Sequence, residues 1–283
     1  MRLGARFTEK IAFTFLLLST LIIVIPVILI TLLILKNGLS GLNWEFLIQS
    51  PRQGMRAGGI FPAIVGTLYL VLGTMIFALP VGISAAVYLA EYARDNWLTR
   101  LIDMAIVNLA GVPSVVYGLF GLGLFVIFLN FGTSILSGSL TLAIMSLPVI
   151  ITASREAINS VPQSFREVSL ALGASKWQTI RCVVLPNALP GIMTGTILAL
   201  SRAAGETAPI LFTVAAFYLP RLPHSFLDQC MALPYHLYVI STQVPNVKPS
   251  IQYGTALVLV LMVLVMNIAA ILIRAHFRKR KQW

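Results

Sequence analysis

From Ile11 to Leu35 the chain runs without a charged residue, and Gly58–Ala90, Met104–Ser154 and Tyr253–Ile273 repeat the pattern. A peptide in hydrocarbon must satisfy its own backbone hydrogen bonds, so apolar runs of this length specify membrane-crossing helices. About 20 apolar residues span the ~30 Å core of a bilayer. Met104–Ser154 is long enough to cross twice, as Met104–Leu129 and Ser137–Ala153, with the turn-forming stretch Asn130–Ser139 (NFGTSILSGS) between them. A further stretch, Cys182–Pro220, carries only Arg202 and Glu206, and its span is placed at Pro190–Phe217. Six crossings result. The composition agrees: 58% of the 283 residues are hydrophobic and 10% are charged, where a soluble domain carries roughly 25% charged residues. The expectation is an all-α integral membrane protein forming a single domain over 1–283, with core helices in about 58–273.

The first run outlasts the ~7–15-residue apolar core of a signal peptide, so an uncleaved first span is expected. Six crossings put both termini on one side. Placing them inside gives that side Arg2, Arg6, Lys10, Arg94, Arg100, Arg155, Arg166, Lys176, Arg181, Arg274, Arg278, Lys279, Arg280 and Lys281. The other side holds Lys36, Arg52, Arg56, Arg221 and Lys248. This bias predicts cytoplasmic termini. It also accounts for the net charge of +11 without nucleic acid, because the basic residues sit in short connectors and not on one face of a soluble module. The terminal RKRKQW suits anionic lipid headgroups. Cys182 and Cys230 fall on opposite sides, and no bond between them is expected.

The longest inner connector is Ser154–Gly191. Val161-Pro162 breaks the preceding span, Ser164 and Glu167 have the spacing of a capping box, and Phe165, Val168 and Leu172 recur at about helical spacing. Gly173 permits a turn or a close backbone approach, and Leu185-Pro186 marks an elbow into the next span. Such a helix either lies in the lipid interface or docks a cytoplasmic partner. No G-x-x-x-x-G-K-[ST] phosphate loop occurs in the chain, so ATP, if it drives this machine, is bound elsewhere.

The stretch SRAAGETAP, Ser201–Pro209, raises the sharpest question. An arginine at mid-bilayer costs at least ~2.5–3.5 kcal/mol. If the span begins near Pro190, Arg202 lies about 18 Å along it, with Glu206 one turn further on the same face. Two readings stand. A neutralised pair would fix helix packing; alternatively, the planar fork of Arg202 lines a wet path for an oxyanion, and Glu206 holds it when the path is empty. Elsewhere, Gly111–Gly123 is rich in small residues that favour close helix packing, and Pro113-Ser114 offers a place to break the helix. Arg94, Asp95, Arg100 and Asp103 read as a solvated turn. His224 and His236 read as ordinary polar residues, and SFLDQCMALPYHLYVI, Ser225–Ile240, as an amphipathic segment on the outer surface.

These residues carry a family resemblance. Glu167, Gly173 six positions on, and Val183-x-Leu185-Pro186 resemble the EAA loop of ABC importer permeases, with Val168 and Ser169 in place of two alanines. LALSRAAGETAPILFT (Leu198–Thr213), EVSLALGASKWQTIRCVVLPNALPGIMTG and LPYHLYVISTQ (Leu233–Gln243) resemble phosphate-specific permeases of the PstA type. The resemblance implies a type I ABC importer permease fold, in a bacterial inner membrane, with a coupling helix in 163–181. It implies that Glu167, Ala171, Gly173, Ala174, Leu185 and Pro186 couple to the ATPase, and that Arg202, Glu206 and Thr207 line the translocation pathway. The implied partners are a PstC-type permease, an ABC ATPase dimer that binds ATP and Mg, and an extracytoplasmic phosphate-binding protein. No catalytic site, metal site or cofactor is expected in this chain. The rivals are a permease for molybdate, sulfate or phosphonate, a stand-alone channel or carrier, and a membrane-embedded enzyme. For the last, the chain offers no nucleophile–base pair.

Overall fold

The computed structural model describes residues 4–279, with side chains over 9–276. Of the basic residues counted above, Arg2, Arg280 and Lys281 lie outside the described residues, as do the side chains of Arg6, Arg278 and Lys279. The chain opens with α1, Ala5–Gly38, a helix apolar on all sides that continues through Pro26. After a 3-10 turn and the short α2, Trp44–Ile48, whose N-cap Asn43 accepts from Phe46 N–H, a two-stranded hairpin pairs β1 (Pro51–Arg52) with β2 (Ala57–Gly58). Next come α3, Phe61–Val87, extended to Tyr92 by a π-helical turn, and α4, Trp97–Ala110, capped by Asn96. Helix α5, Ser114–Gly121, runs on as π-helix to Phe128; α6, Ile135–Asn159, starts at the N-cap Ser134. The second half holds α7 (Gln163–Ala171), α8 (Lys176–Thr179), α9 (Leu185–Gly205), α10 (Ala208–Thr213), α11 (Leu233–Thr242) and α12 (Pro249–Lys279).

Five stretches among the described residues are long and apolar enough to cross a membrane alone: Glu9–Gly41, Phe61–Tyr92, Ile135–Asn159, Lys176–Gly205 and Pro249–His276. A sixth crossing follows from register. A Cβ on Gly73 of α3 would meet Ser139 of α6, and one on Gly82 would meet Ile150, so the two helices run parallel. The chain between them must therefore travel back across the bundle, and α4 with α5 supplies that passage. It does so bent, at 105°. Helices α6 and α9 run antiparallel, with Gly191 against Ala157 and Gly195 against Ala153. Helices α1 and α12 are likewise antiparallel, Gly38 meeting Tyr253 and Gly41 meeting Ser250. Small residues let these helices approach closely where dispersion, and not hydrophobic burial, drives packing in lipid.

Besides a small cluster of Met75, Ala78, Ala143, Ile150 and Ala199 shared by α3, α6 and α9, two larger apolar clusters organise the interior. One gathers Leu70, Leu142, Ile210, Val214, Met231, Leu233 and Ile240 toward the end of the bundle that carries the hairpin. The other joins Val87, Leu89, Ile151, Ile158, Val161, Ile180, Val184 and Ile192 at the opposite end, beside α7. By contrast α1 buries none of its apolar window and rests chiefly on α12.

Several expectations change. The stretch Ile135–Ser139, read as turn, is the first turn and more of α6, and Ser137, Gly138 and Ser139 are buried in it. Ser164 does not cap α7: the helix begins at Gln163 after Pro162, without a side-chain cap. The capping box sits at Ser175 and Gln178 instead, because the Gly173 turn forces a new helix start there. Leu185-Pro186 is not an elbow, since Lys176–Gly205 is one continuous helical stretch. A π-helical turn, Ile180–Val184, lies directly ahead of Pro186, where a proline ring would crowd the carbonyl four residues back. Ser225–Ile240 does not lie flat on the surface: Cys230 to His236 are buried, and Leu233 N–H donates to the Thr67 hydroxyl of α3. His236 is thus a core residue, while His224 is exposed.

Candidate functional site

The span placed at Pro190–Phe217 is broken at the segment that raised the question. Helix α9 ends at Gly205, and Glu206 leaves it with extended φ −72 and ψ 133. The cause is Pro209, which has no N–H to offer the Gly205 carbonyl four residues earlier; it opens α10 in the first-turn position where proline is tolerated. Glu206 is therefore not one helical turn beyond Arg202. It folds back, and Arg202 Nε donates to Glu206 Oε1 at 3.1 Å. The side chain of Arg202 is 38% exposed and that of Glu206 17%. Among the described residues the guanidinium makes no other hydrogen bond, so its two terminal nitrogens remain open to an anion. Thr207 follows at the N-cap of α10 with its hydroxyl unused in capping.

The other broken span lies against this one. Pro113 cannot donate to the Leu109 carbonyl, which accepts instead from Val112 N–H at 3.1 Å and from the Tyr117 hydroxyl at 2.8 Å, across the bend between α4 and α5. Tyr117 lies within the electrostatic reach of Arg202. Gly118 of α5 meets the Ala208 carbonyl and Pro209 of α10, a contact that a Cβ would obstruct. Ser201, next to the arginine, donates to the Ile197 carbonyl and reaches Asn267 Oδ1 of α12. A part-buried guanidinium at the junction of two broken helices, with hydroxyls nearby, is chemically suited to an oxyanion.

The second group of predicted residues lies at the end of the bundle beside the second apolar cluster. Glu167, Ala171 and Gly173 are exposed and Ala174 is partly so. Gly173 adopts φ +84 with open space where a Cβ would stand, so it is present for its turn and not for a close approach. Leu185 and Pro186 are separated from this surface: Leu185 packs on the apolar cluster and lines a cleft of about 300 Å³ with Tyr88, Tyr92 and Trp177. Val168, Leu170, Leu172 and Trp177 are exposed apolar side chains around the Gly173 turn.

Residue types alone did not reveal how α7 is attached. Arg166 Nε and Nη2 donate to Glu91 Oε1 at 3.0 and 2.8 Å, Nη1 to the Val161 carbonyl at 2.7 Å and Nη2 to the Ile158 carbonyl at 2.9 Å. The available signal was Glu91 itself, the charge that ends the run Gly58–Ala90. The inner turn read as solvated is only half so: Arg100 pairs with Asp95 in the open, but Asp103 pairs with Arg155 of α6.

Comparison with known proteins places this geometry. Residues 78–283 match the family described as binding-protein-dependent transport system inner membrane component. The chain is 37% identical to a probable ABC transporter permease protein YqgI of Bacillus subtilis over 84% of its length and 85% of that protein. It is 32% identical to the phosphate transport system permease protein PstA 1 of Mycobacterium tuberculosis, over 100% of this chain and 92% of that one. Among solved structures, a bacterial ABC transporter involved in alginate import superposes with a TM-score of 0.68 at 16% identity, covering 96% of this chain and 99% of that chain. The MetNI methionine transporter, captured facing inward, gives 0.58 at 17% identity, covering 77% and 94%. Proteins of this kind work in a membrane with an ATPase and a substrate-binding protein. On the family match and the PstA-type relatives, this chain belongs to the binding-protein-dependent transport system inner membrane components and is a permease of the type I ABC importer fold.

Proposed function

We propose that this chain is the permease subunit of an ATP-driven phosphate importer, contributing half of the pathway beside a PstC-type partner permease. The single observation that carries the anion reading is Arg202, held by one hydrogen bond to Glu206 and otherwise open, at the break between α9 and α10. A tetrahedral oxyanion offers that fork two oxygens at once. Glu206, which would repel a bare anion, occupies the guanidinium when the pathway is empty and releases it when phosphate arrives. Similarity over 87% to 100% of this chain to permeases named for phosphate transport supports the choice of anion.

The end carrying α7 faces the cytoplasm in this proposal. Glu167, Ala171, Gly173 and Ala174, with the exposed apolar side chains beside them, seat on an ATPase dimer that holds ATP and Mg. Leu185 and Pro186 support that surface from beneath. The hairpin and the 221–229 segment face the binding protein on the other side. ATP binding draws the ATPase halves together, the spans open outward to receive phosphate, and hydrolysis returns them inward.

Reconstitution of the complete importer tests this. Labelled phosphate uptake should survive excess sulfate, molybdate and phosphonate and be competed by phosphate alone; competition by one of the others reassigns the anion. Arg202→Gln should abolish uptake while the complex still assembles. Normal uptake in that variant would reduce the pair to helix packing.

A further inference from the structure

We propose that Glu91 and Arg166 form a clamp through which motion of α7 reaches the membrane-spanning bundle. The inference rests on the proposal that α7 seats on the ATPase, and it names how that motion passes onward. Helix α7 has no buried residue. A helix so exposed transmits force only through its attachments, and these are few. Phe165 packs partly on the apolar cluster beside it, and the Ser169 and Thr179 hydroxyls share a hydrogen bond. Arg166 adds a directed attachment that reaches three places at once: Glu91 at the end of α3, the Ile158 carbonyl in the last turn of α6, and the Val161 carbonyl in the connector.

The environment strengthens this clamp. The two side chains are 12% and 10% exposed, so the pair is screened far less than a surface ion pair. Removing one partner leaves a charge in a nearly dry site. Glu91 lies in the π-helical extension Tyr88–Tyr92, and π-helical turns are frequent at functional sites. Ile158, Val161, Val87 and Leu89 pack in one cluster with Ile180 and Val184 of the stretch leading into α9. Displacement of α7 is thereby handed to α3 and α6 together, and through the cluster to α9, which carries Arg202. Apolar contacts alone would let α7 slide. The four directed bonds of a planar guanidinium set its register.

The test uses the assembled importer in proteoliposomes, with Glu91→Gln, Arg166→Lys and the double reversal Glu91→Arg/Arg166→Glu. Gln keeps the size and an acceptor oxygen but loses the charge. Lys keeps the charge but cannot hold a carboxylate and two carbonyls in fork geometry. Both single variants should co-purify with the ATPase and retain basal ATP hydrolysis. Their uptake per ATP hydrolysed, normalised to assembled complex, should fall about tenfold, and stimulation of hydrolysis by loaded binding protein should fall with it. The double reversal should recover neither, because a carboxylate at position 166 cannot donate to the Ile158 and Val161 carbonyls; full recovery would show that the ion pair alone suffices and that the carbonyl bonds set no register. Uptake per ATP within about twofold of the unaltered complex in Arg166→Lys would overturn the clamp, even if Glu91→Gln assembles poorly. Failure of the unaltered chain to bring down any ATPase would sink the docking proposal instead, and the clamp with it.

Discussion

At the residue scale the decisive question is what a charge does once water is taken from it. Arg202 and Arg166 are both part-buried, but their hydrogen bonding differs. Arg166 spends its donors on protein acceptors, whereas Arg202 spends one and leaves the rest open. A clamp and a binding group are told apart by that difference. Arg202→Lys should accordingly fail to replace arginine: it keeps the charge and loses the second bond to an oxyanion. A charge-assisted hydrogen bond is worth about 1.5–3 kcal/mol, so initial-rate uptake should drop by about tenfold or more. An unaltered apparent KM and rate would show that the fork is not used.

Asp228 supplies a pH prediction at the same scale. Backbone N–H bonds from His224, then Ser225, hold its carboxyl below the usual carboxylate range, helped weakly by Arg221 and His224. A depressed folded pKa stabilises the turn at every pH above the unfolded value of ~3.9 and loses that contribution as pH falls through the folded value. Amide exchange at His224 and Ser225, corrected for intrinsic rate, should thus be unchanged between neutral and mildly acidic pH. It should accelerate only below the ordinary aspartate range. In Asp228→Ala it should be fast throughout.

At the scale of elements, two prolines, Pro113 and Pro209, stand at breaks in the spans, and each break is recovered differently. Pro113 leaves the Leu109 carbonyl to Val112 N–H and the Tyr117 hydroxyl; Pro209 frees the Gly205 carbonyl, and Glu206 turns back onto Arg202. Pro26, Pro80, Pro148 and Pro190 lie inside continuous helices, so proline alone does not foretell a break. That is why six crossings were legible as hydropathy, and Pro113-Ser114 as a place to break a helix, while the break ahead of Pro209 was not. The Gly173 turn is another element-level device. Its φ of +84 costs an L-residue roughly 1–2 kcal/mol, and the open space around it removes any steric cost. Association with the ATPase should weaken in the order Gly173→Val, Gly173→Ala, Gly173→Asn, because asparagine tolerates that conformation best. Co-purification that ignores this order would argue against docking at the turn. Gly195→Leu acts on packing instead. Its side chain would drive into Ala153 of α6, an overpacking of about 1–3 kcal/mol, visible as a lower melting temperature in detergent.

At the scale of the whole molecule, the parallel run of α3 and α6 requires a return passage, and the two larger apolar clusters mark the two ends of the bundle. The two cysteines report on both. Cys182 is exposed on the stretch leading into α9, and Cys230 is buried against α3. A membrane-impermeant maleimide should therefore label Cys182 only in inverted vesicles, and Cys230 only after denaturation. Labelling of Cys182 from outside intact cells would reverse the proposed orientation.

The sequence by itself determined that this chain lives in a bilayer, how many times it crosses, and which short segments carry chemistry. Those are properties of composition, charge position and local spacing, and lipid enforces them residue by residue. Only the tertiary structure decided that Ser225–Ile240 re-enters the core, that Ser164 is not a cap, that Glu206 reaches Arg202 from outside the helix, and that Glu91 meets Arg166. Each of these depends on which distant carbonyl, hydroxyl or methyl stands opposite, and hydrogen bonding and close packing in the folded bundle settle that across separations no local pattern encodes.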